Sequence, residues 1–220
     1  MSVPALRDAV EGWLHPVPGG APTGVDARYL PRAEALRAEV GKLDAPTGGA
    51  VDWARVLKDA ERLTRETTKD VLVLAYAAVA LAELRGLAGL AEGCLLVAEG
   101  CDRFWDGMYP PASRPRARIR ALEWLAARAT ASVENAAVTA PDRPTVAALA
   151  AAVARLREVS RARLGDRAPS LRAVEEGVAR LRLALPSPPD RSPPPAALAA
   201  GPAQPRAAPA GAGAGSKGGP

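Results

Sequence analysis

The stretch Lys69–Pro111, KDVLVLAYAAVALAELRGLAGLAEGCLLVAEGCDRFWDGMYPP, decides the fold. From Val71 to Leu84 its only polar side chains are Tyr76 and Glu83. With Lys69 they fall at i, i+7 and i+14, one thin line along a helix. A helix that is apolar nearly all round lies at the centre of a bundle or in a membrane. The apolar run Val71–Ala82 is shorter than the ~20 residues a bilayer requires, so the pattern predicts a buried central helix. Thr68 is expected to cap its start, with Asp70 in the first turn, where negative charge suits the helix dipole. Arg85 and Gly86 close it.

Beyond Gly86 the apolar residues Leu87, Leu90, Cys94, Val97, Cys101 and Phe104 step by three and four, a second helix. Beside that seam run Gly86, Gly89, Gly93 and Gly100. Each glycine inside a helix costs roughly 1 kcal/mol against alanine, and close helix–helix approach is the simplest compensation. Ala75, Ala78 and Ala82 supply a matching small face. The expectation is an antiparallel pair, Lys69–Leu84 against Leu87–Phe104, at the nucleus of the core.

Working outward, Ser2–Leu14 reads as a short helix with Leu6, Val10 and Trp13 on one face. Pro16–Pro31 is a loop rich in turn formers. Ala33, Leu36, Val40 and Leu43 mark a second helix, and Ala45–Ala50 a connection. Asp52 is placed to cap a third, with Trp53, Val56, Leu57, Ala60, Leu63 and Thr64 on its face. After the central pair, Trp105–Pro111 is a turn with aromatic anchors. Further helices follow over Arg116–Asn135, after Asp142 and Pro144, and over Leu171–Leu185. Arg155, Arg157, Glu158, Arg161, Arg163, Glu175, Glu176, Arg180 and Arg182 read as a solvated face. From Pro186 the chain is mostly Pro, Ala and Gly, a composition that cannot offset its ordering entropy. The expected organisation is all-α: a compact antiparallel bundle of about eight helices over residues 1–185, then a disordered Pro/Ala/Gly-rich linker or tail over 186–220.

The 220 residues are 48% hydrophobic but only 4% aromatic, so the core is built from Leu, Val and Ala. The net charge of +5 is spread as arginines interleaved with acids, the pattern of a solvated surface. A basic helical nucleic-acid-binding protein is the alternative this charge leaves open, carried by the arginines of the last helices. The N-terminal segment carries acids and no long apolar run, so it is not a secretory signal. With no spanning segment, the expected location is the cytoplasm. Cys94 and Cys101 lie two turns apart, roughly 10 Å, too far for a disulfide, and read as reduced core residues. His15 is the lone histidine. No catalytic constellation, metal site or cofactor-binding motif stands out, and the residues alone read as a helical scaffold or binding module.

Five motifs in order carry a resemblance. PTGVDARY at Pro22–Tyr29, DWARVLKDAERL at Asp52–Leu63, TTKDVLVLAYAAVALAELRGLAGLAEG at Thr67–Gly93, RFWDGMYP at Arg103–Pro110 and RIRALEWL at Arg118–Leu125 span about 105 residues. Together they resemble the ImpA N-terminal domain family, found in TssA components of the bacterial type VI secretion system. Thr68 stands where that pattern usually has serine, and Phe104 where it has tyrosine.

The resemblance implies a non-enzymatic structural or adaptor component. It would dock on the baseplate or membrane complex and coordinate assembly of tail tube and sheath, without a cofactor. It would sit in the cytoplasm, or at the inner face of the cytoplasmic membrane through the secretion complex. Its partners would be other type VI secretion proteins. Family members generally continue into a ring-forming C-terminal domain, so oligomerisation is expected to need a region beyond Pro220.

The motif residues are Pro22, Gly24, Asp26, Arg28, Tyr29, Trp53, Lys69, Asp70, Gly86, Gly89, Trp105, Asp106, Pro110 and Trp124. Most are expected to be structural: Pro22, Gly24 and Asp26 fix a loop, and Trp53, Trp105 and Trp124 pack the core. Arg28 is expected to pair with Asp26, Asp70 or Glu123. The partner surface is expected foremost on the loops and outer helices, with the line of Lys69, Tyr76 and Glu83 as a further candidate.

Overall fold

The computed structural model describes residues 3–45 and 48–186. Among them lie seven α-helices: α1 (Val3–Glu11), α2 (Pro31–Gly41), α3 (Trp53–Glu66), α4 (Val71–Phe104), α5 (Pro115–Glu134), α6 (Arg143–Leu164) and α7 (Arg172–Ala184). Short 3-10 turns follow α2, precede α6 and follow α6. The described residues form no strand, only isolated bridges between Gly24 and Thr68 and between Asp70 and Tyr109. The expected 186–220 tail falls, after Pro186, outside the described residues.

α4 is two helical arms joined at Gly86, whose backbone (φ +59°, ψ −141°) leaves the helical region. Counted as two arms it brings the helices to the expected eight. Side chains rarely adopt a positive φ, so glycine is needed at the bend itself. No atom lies near enough to Gly86 to crowd a methyl, so it serves the turn and not the close approach assigned to it above.

The other small residues of the line do serve that approach. A methyl on Gly93 would lie 2.5 Å from the Ala78 Cα, and one on Gly89 only 1.9 Å from the Leu81 carbonyl oxygen. One on Gly100 would meet Leu74 Cδ1 at 2.6 Å. The partners run backward, Leu81, Ala78, Leu74, as the glycines run forward. The arms are therefore antiparallel, as their sequence predicts. Arg85 reaches across the bend to Glu92 at 2.8 Å. Although α4 as a whole is long and apolar enough for a membrane span, the bend leaves neither arm with the ~20 residues a bilayer requires.

The remaining helices wrap this hairpin. α1, α3, α5 and α6 pack on α4, α7 closes the gap between α5 and α6, and α2 rides on α3. The core is aliphatic and small, with Val56, Ala75, Ala77, Leu96, Leu125, Val146 and Leu149 fully enclosed. Cys94 and Cys101 are free and buried, and burial pushes both thiols up to about 12, so they act as inert apolar residues. Asp52 caps α3, its carboxylate accepting from the Arg55 amide at 3.0 Å.

Two expectations change. α4 begins at Val71 under an Asp70 cap that accepts from the Leu72 and Val73 amides at 2.8 and 3.4 Å. Thr68 lies in the extended approach to α4, too early to cap, and its buried hydroxyl has no partner among the described residues. Nor is the α6–α7 arginine face wholly solvated. Arg155 reaches Glu99 at 2.9 Å and Asp102 at 2.6 Å, and Arg163 bonds the Asp102 carbonyl, tying α6 to the second arm of α4. These part-buried bonds, with Glu99 foremost, raise the Arg155 pKa.

Gly93→Val places its branched side chain against the Ala78 backbone, which cannot yield as a side-chain tip can. Urea denaturation should show a loss of about 3 kcal/mol or more. Gly41→Ala, at an open helical position, should be neutral or stabilising by up to ~1 kcal/mol.

Candidate functional site

The sequence motifs meet at one end of the hairpin, where three connectors are laced together by main-chain hydrogen bonds. The Val25 amide donates to the Thr67 carbonyl (3.0 Å) and the Lys69 amide to the Thr23 carbonyl (2.8 Å). On the other side, the Tyr109 amide donates to the Lys69 carbonyl (2.7 Å) and the Val71 amide to the Tyr109 carbonyl (2.9 Å). Residues 67–71 therefore run between the 22–29 loop and the 105–110 turn. Gly24 is required here twice over. Its φ is +68°, and a methyl would lie 2.0 Å from the Thr67 carbonyl oxygen.

Two buried cations lock the assembly, and neither pairs with a carboxylate among the described residues. Lys69 is 1% exposed. Its Nζ donates to the carbonyls of Trp13 and Thr64, both at 2.8 Å, and lies 5.1 Å from the Phe104 ring centroid. Arg118, also 1% exposed, donates from Nε to Pro110 (2.6 Å), from Nη1 to Trp105 (2.8 Å) and from Nη2 to Met108 (2.6 Å). All three acceptors are main-chain carbonyls, and the guanidinium also stacks 4.5 Å from the Trp105 centroid. An unpaired buried charge is costly; carbonyl dipoles and aromatic faces offset that cost at both sites.

Lys69 is therefore no partner surface. The expected line of Lys69, Tyr76 and Glu83 breaks up because its first member turns inward to reach carbonyls that the helical pattern alone does not reveal. Tyr76 is half-buried, packed edge-to-face on Trp124 with centroids 5.1 Å apart. Glu83 is exposed, near the hairpin bend.

Arg28 pairs with Asp26, as one of its three expected partners, at 2.6 Å. The Arg28 backbone amide bonds the same carboxylate, and these contacts hold the Asp26 pKa low against partial desolvation. Trp53, Trp105 and Trp124 are half-buried and pack against the core. Trp53 and the hairpin residues Gly86 and Gly89 stand apart from the laced connectors. Asp106 is exposed in the 105–110 turn. Tyr29, 77% exposed, projects outward with its apolar neighbours Val25 and Leu30.

Arg118 itself was missed as a functional position, although the signal existed. It shares the helical register of Ala121, Leu122 and Leu125, all buried. A charged residue in an apolar seam marks a specific internal partner.

Beside the laced connectors, a groove of about 740 Å³ runs between the first arm of α4 and the start of α5, with Tyr76 and Trp124 among its lining. No cluster of His, Cys, Asp and Glu suited to a metal occurs among the described residues. The chemistry on display is that of shape and contact: exposed aromatic and aliphatic side chains on a rigidly tied loop.

Residues 14–127 match the family model described as ImpA, N-terminal, type VI secretion system. Over 138 residues the chain is 34% identical to the type VI secretion system component TssA1 of Pseudomonas aeruginosa, an alignment covering 58% of this chain and 38% of that relative. The fold resembles the solved N-terminal domain, including the conserved ImpA_N region, of the TssA component from Burkholderia cenocepacia. That match has a TM-score of 0.67 at 22% identity and covers 80% of this chain and 91% of that one.

Arg118→Leu leaves three main-chain carbonyls without their donor, that of Met108 buried and those of Trp105 and Pro110 part-buried, and thermal or urea melts should show a loss of about 3 kcal/mol or more. Lys69 gives a pH signature. Burial lowers its pKa from an ordinary 10.5 to about 8, with Arg65 adding to the shift. Between these values the unfolded chain holds a proton that the folded chain has released, so stability rises with pH. The stability of the wild type relative to Lys69→Met should therefore increase from pH 8 to pH 10.5, read by urea melts across that window. A flat difference would place the ammonium in water.

Proposed function

The chain belongs to the ImpA N-terminal family of the type VI secretion system, and from that membership we propose that it is a non-enzymatic adaptor. In this reading it docks on the baseplate or the membrane complex and coordinates assembly of tail tube and sheath. It works in the cytoplasm, or at the inner face of the cytoplasmic membrane through the secretion complex. Its partners are other type VI secretion proteins. Residues 1–185 are the docking module, and 186–220 the linker that their composition suggests.

The observation that carries the proposal is the division of labour within the motif loops. The hydrogen bonds described for the buried Lys69 and Arg118 side chains all go to main-chain carbonyls, while the outward residues Val25, Tyr29 and Leu30 are large and exposed. Such a surface binds proteins by contact. Most arginines of α6 and α7 do not favour nucleic acid as the partner, since Arg155, Arg157, Arg163, Arg172 and Arg180 all lie within 4 Å of carboxylates.

Affinity capture tests the role. Immobilised full chain is incubated separately with purified baseplate, sheath, tube and membrane-complex proteins. Retention of at least one of them is expected, and retention of none would rule the adaptor role out.

A further inference from the structure

The groove beside the laced connectors has a one-sided charge. Leu72, Tyr76 and Trp124 give it an apolar lining. Arg114, Arg116 and Arg120 add three exposed guanidinium groups, and among the described residues no carboxylate lines it. Among the described residues many arginines have a carboxylate within 4 Å; these three have none, and unlike the similarly unpaired Arg161 and Arg182 they share one apolar groove. Arg114 feels Asp26 only as a longer-range influence. Arg116 and Arg120 are one helical turn apart and present their charges side by side on α5. An apolar cleft edged by unpaired cations is complementary to an apolar segment edged by anions.

We propose that this groove docks a short acidic segment of a partner protein. A large apolar side chain of that segment enters against Tyr76 and Trp124, and flanking carboxylates meet Arg114, Arg116 and Arg120. The proposal rests on the adaptor reading above and names the chemistry of its partner. The volume of about 740 Å³ is that of a cleft for a few side chains.

Three other occupants fit less well. Trp124 already packs against Tyr76 and carries the Arg128 guanidinium 5.8 Å from its centroid, so it is no free stacking platform for a base. A bilayer surface is flat where the groove is concave. The chain's own segment after Pro186 carries Arg191, Arg206 and Lys217 against the single acid Asp190, a like-charge match.

The test is a random-peptide phage library panned on the full chain, with selected peptides measured by fluorescence anisotropy. Selected sequences should set Asp and Glu around an aromatic or aliphatic residue. Their Kd should weaken by about tenfold or more in the Arg116→Glu/Arg120→Glu double variant. It should hold in Arg161→Glu/Arg182→Glu, whose sites lie outside the groove. All four positions are exposed, and thermal melts of each variant are to match wild type before binding is compared.

Selection without an acidic bias, or equal binding by the reversed variant, overturns the proposal. So does a loss confined to phosphatidylglycerol vesicles or single-stranded DNA. The two readings separate in the capture assay. If Arg116→Glu/Arg120→Glu retains the secretion partner as well as wild type, the groove proposal falls and the adaptor role stands. If wild type retains no partner while acidic peptides still bind the groove, the adaptor role falls instead.

Discussion

The backbone contact between Gly93 and Ala78 is the constraint on which the bundle depends. Helices with ordinary side chains pack at 8–10 Å between axes. Here a single methyl at Gly93 would already overlap the Ala78 Cα, so the two arms of α4 sit closer than larger residues allow. This short separation makes the hairpin a slender central post. α1, α3, α5 and α6 can all reach it, and a core of Leu, Val and Ala then fills the space with few aromatics. The glycines weaken the second arm as an isolated helix and are compensated only when the arms are together. Local weakness and tertiary strength are thus coupled in the same residues.

At the end of the post the problem is different, because connectors cannot be held by side-chain interdigitation alone. Their backbone groups need partners wherever water is excluded. The chain answers with two long cationic side chains that act as polydentate donors. Lys69 joins the end of α1 to the end of α3, and Arg118 gathers the carbonyls of Trp105, Met108 and Pro110 in the 105–110 turn. Carboxylates would have needed a second buried charge; carbonyls do not. Arg103 on Glu11, at 2.7 Å, adds an outer tie between α1 and α4 at the same end.

The central pair was legible because its signals are local. Apolar periodicity, the glycine register and the break at Gly86 all lie within a few turns of one another. Asp52 as a cap and Arg28 with Asp26 were legible for the same reason. Lys69 was misplaced because its acceptors on Trp13 and Thr64 belong to other elements, and a lysine at heptad spacing otherwise reads as exposed. Thr68 was misplaced because residues 67–71 are drawn into extended pairing with two loops, which delays the helix until Asp70 caps it. Arg155 and Arg163 read as solvated because their partners Glu99 and Asp102 stand on a distant helix. Most of the family-motif residues gather at the connector end, where they mark mostly the fastening. The outward residues that could meet a partner lie between or beside them.

The inward grip of Arg118 has a consequence for the outer face of the same helix. Positions 116 and 120 project from the side of α5 opposite to position 118. Three hydrogen bonds at 118 therefore fix the roll of α5 about its own axis. The directions in which Arg116 and Arg120 leave the helix are set before any partner arrives. Little backbone ordering remains to be lost on association, and what entropy is lost comes from the side-chain tips. A binding face of this kind behaves as a preset template, so differences among its partners should appear mainly in how long they stay and much less in how fast they arrive.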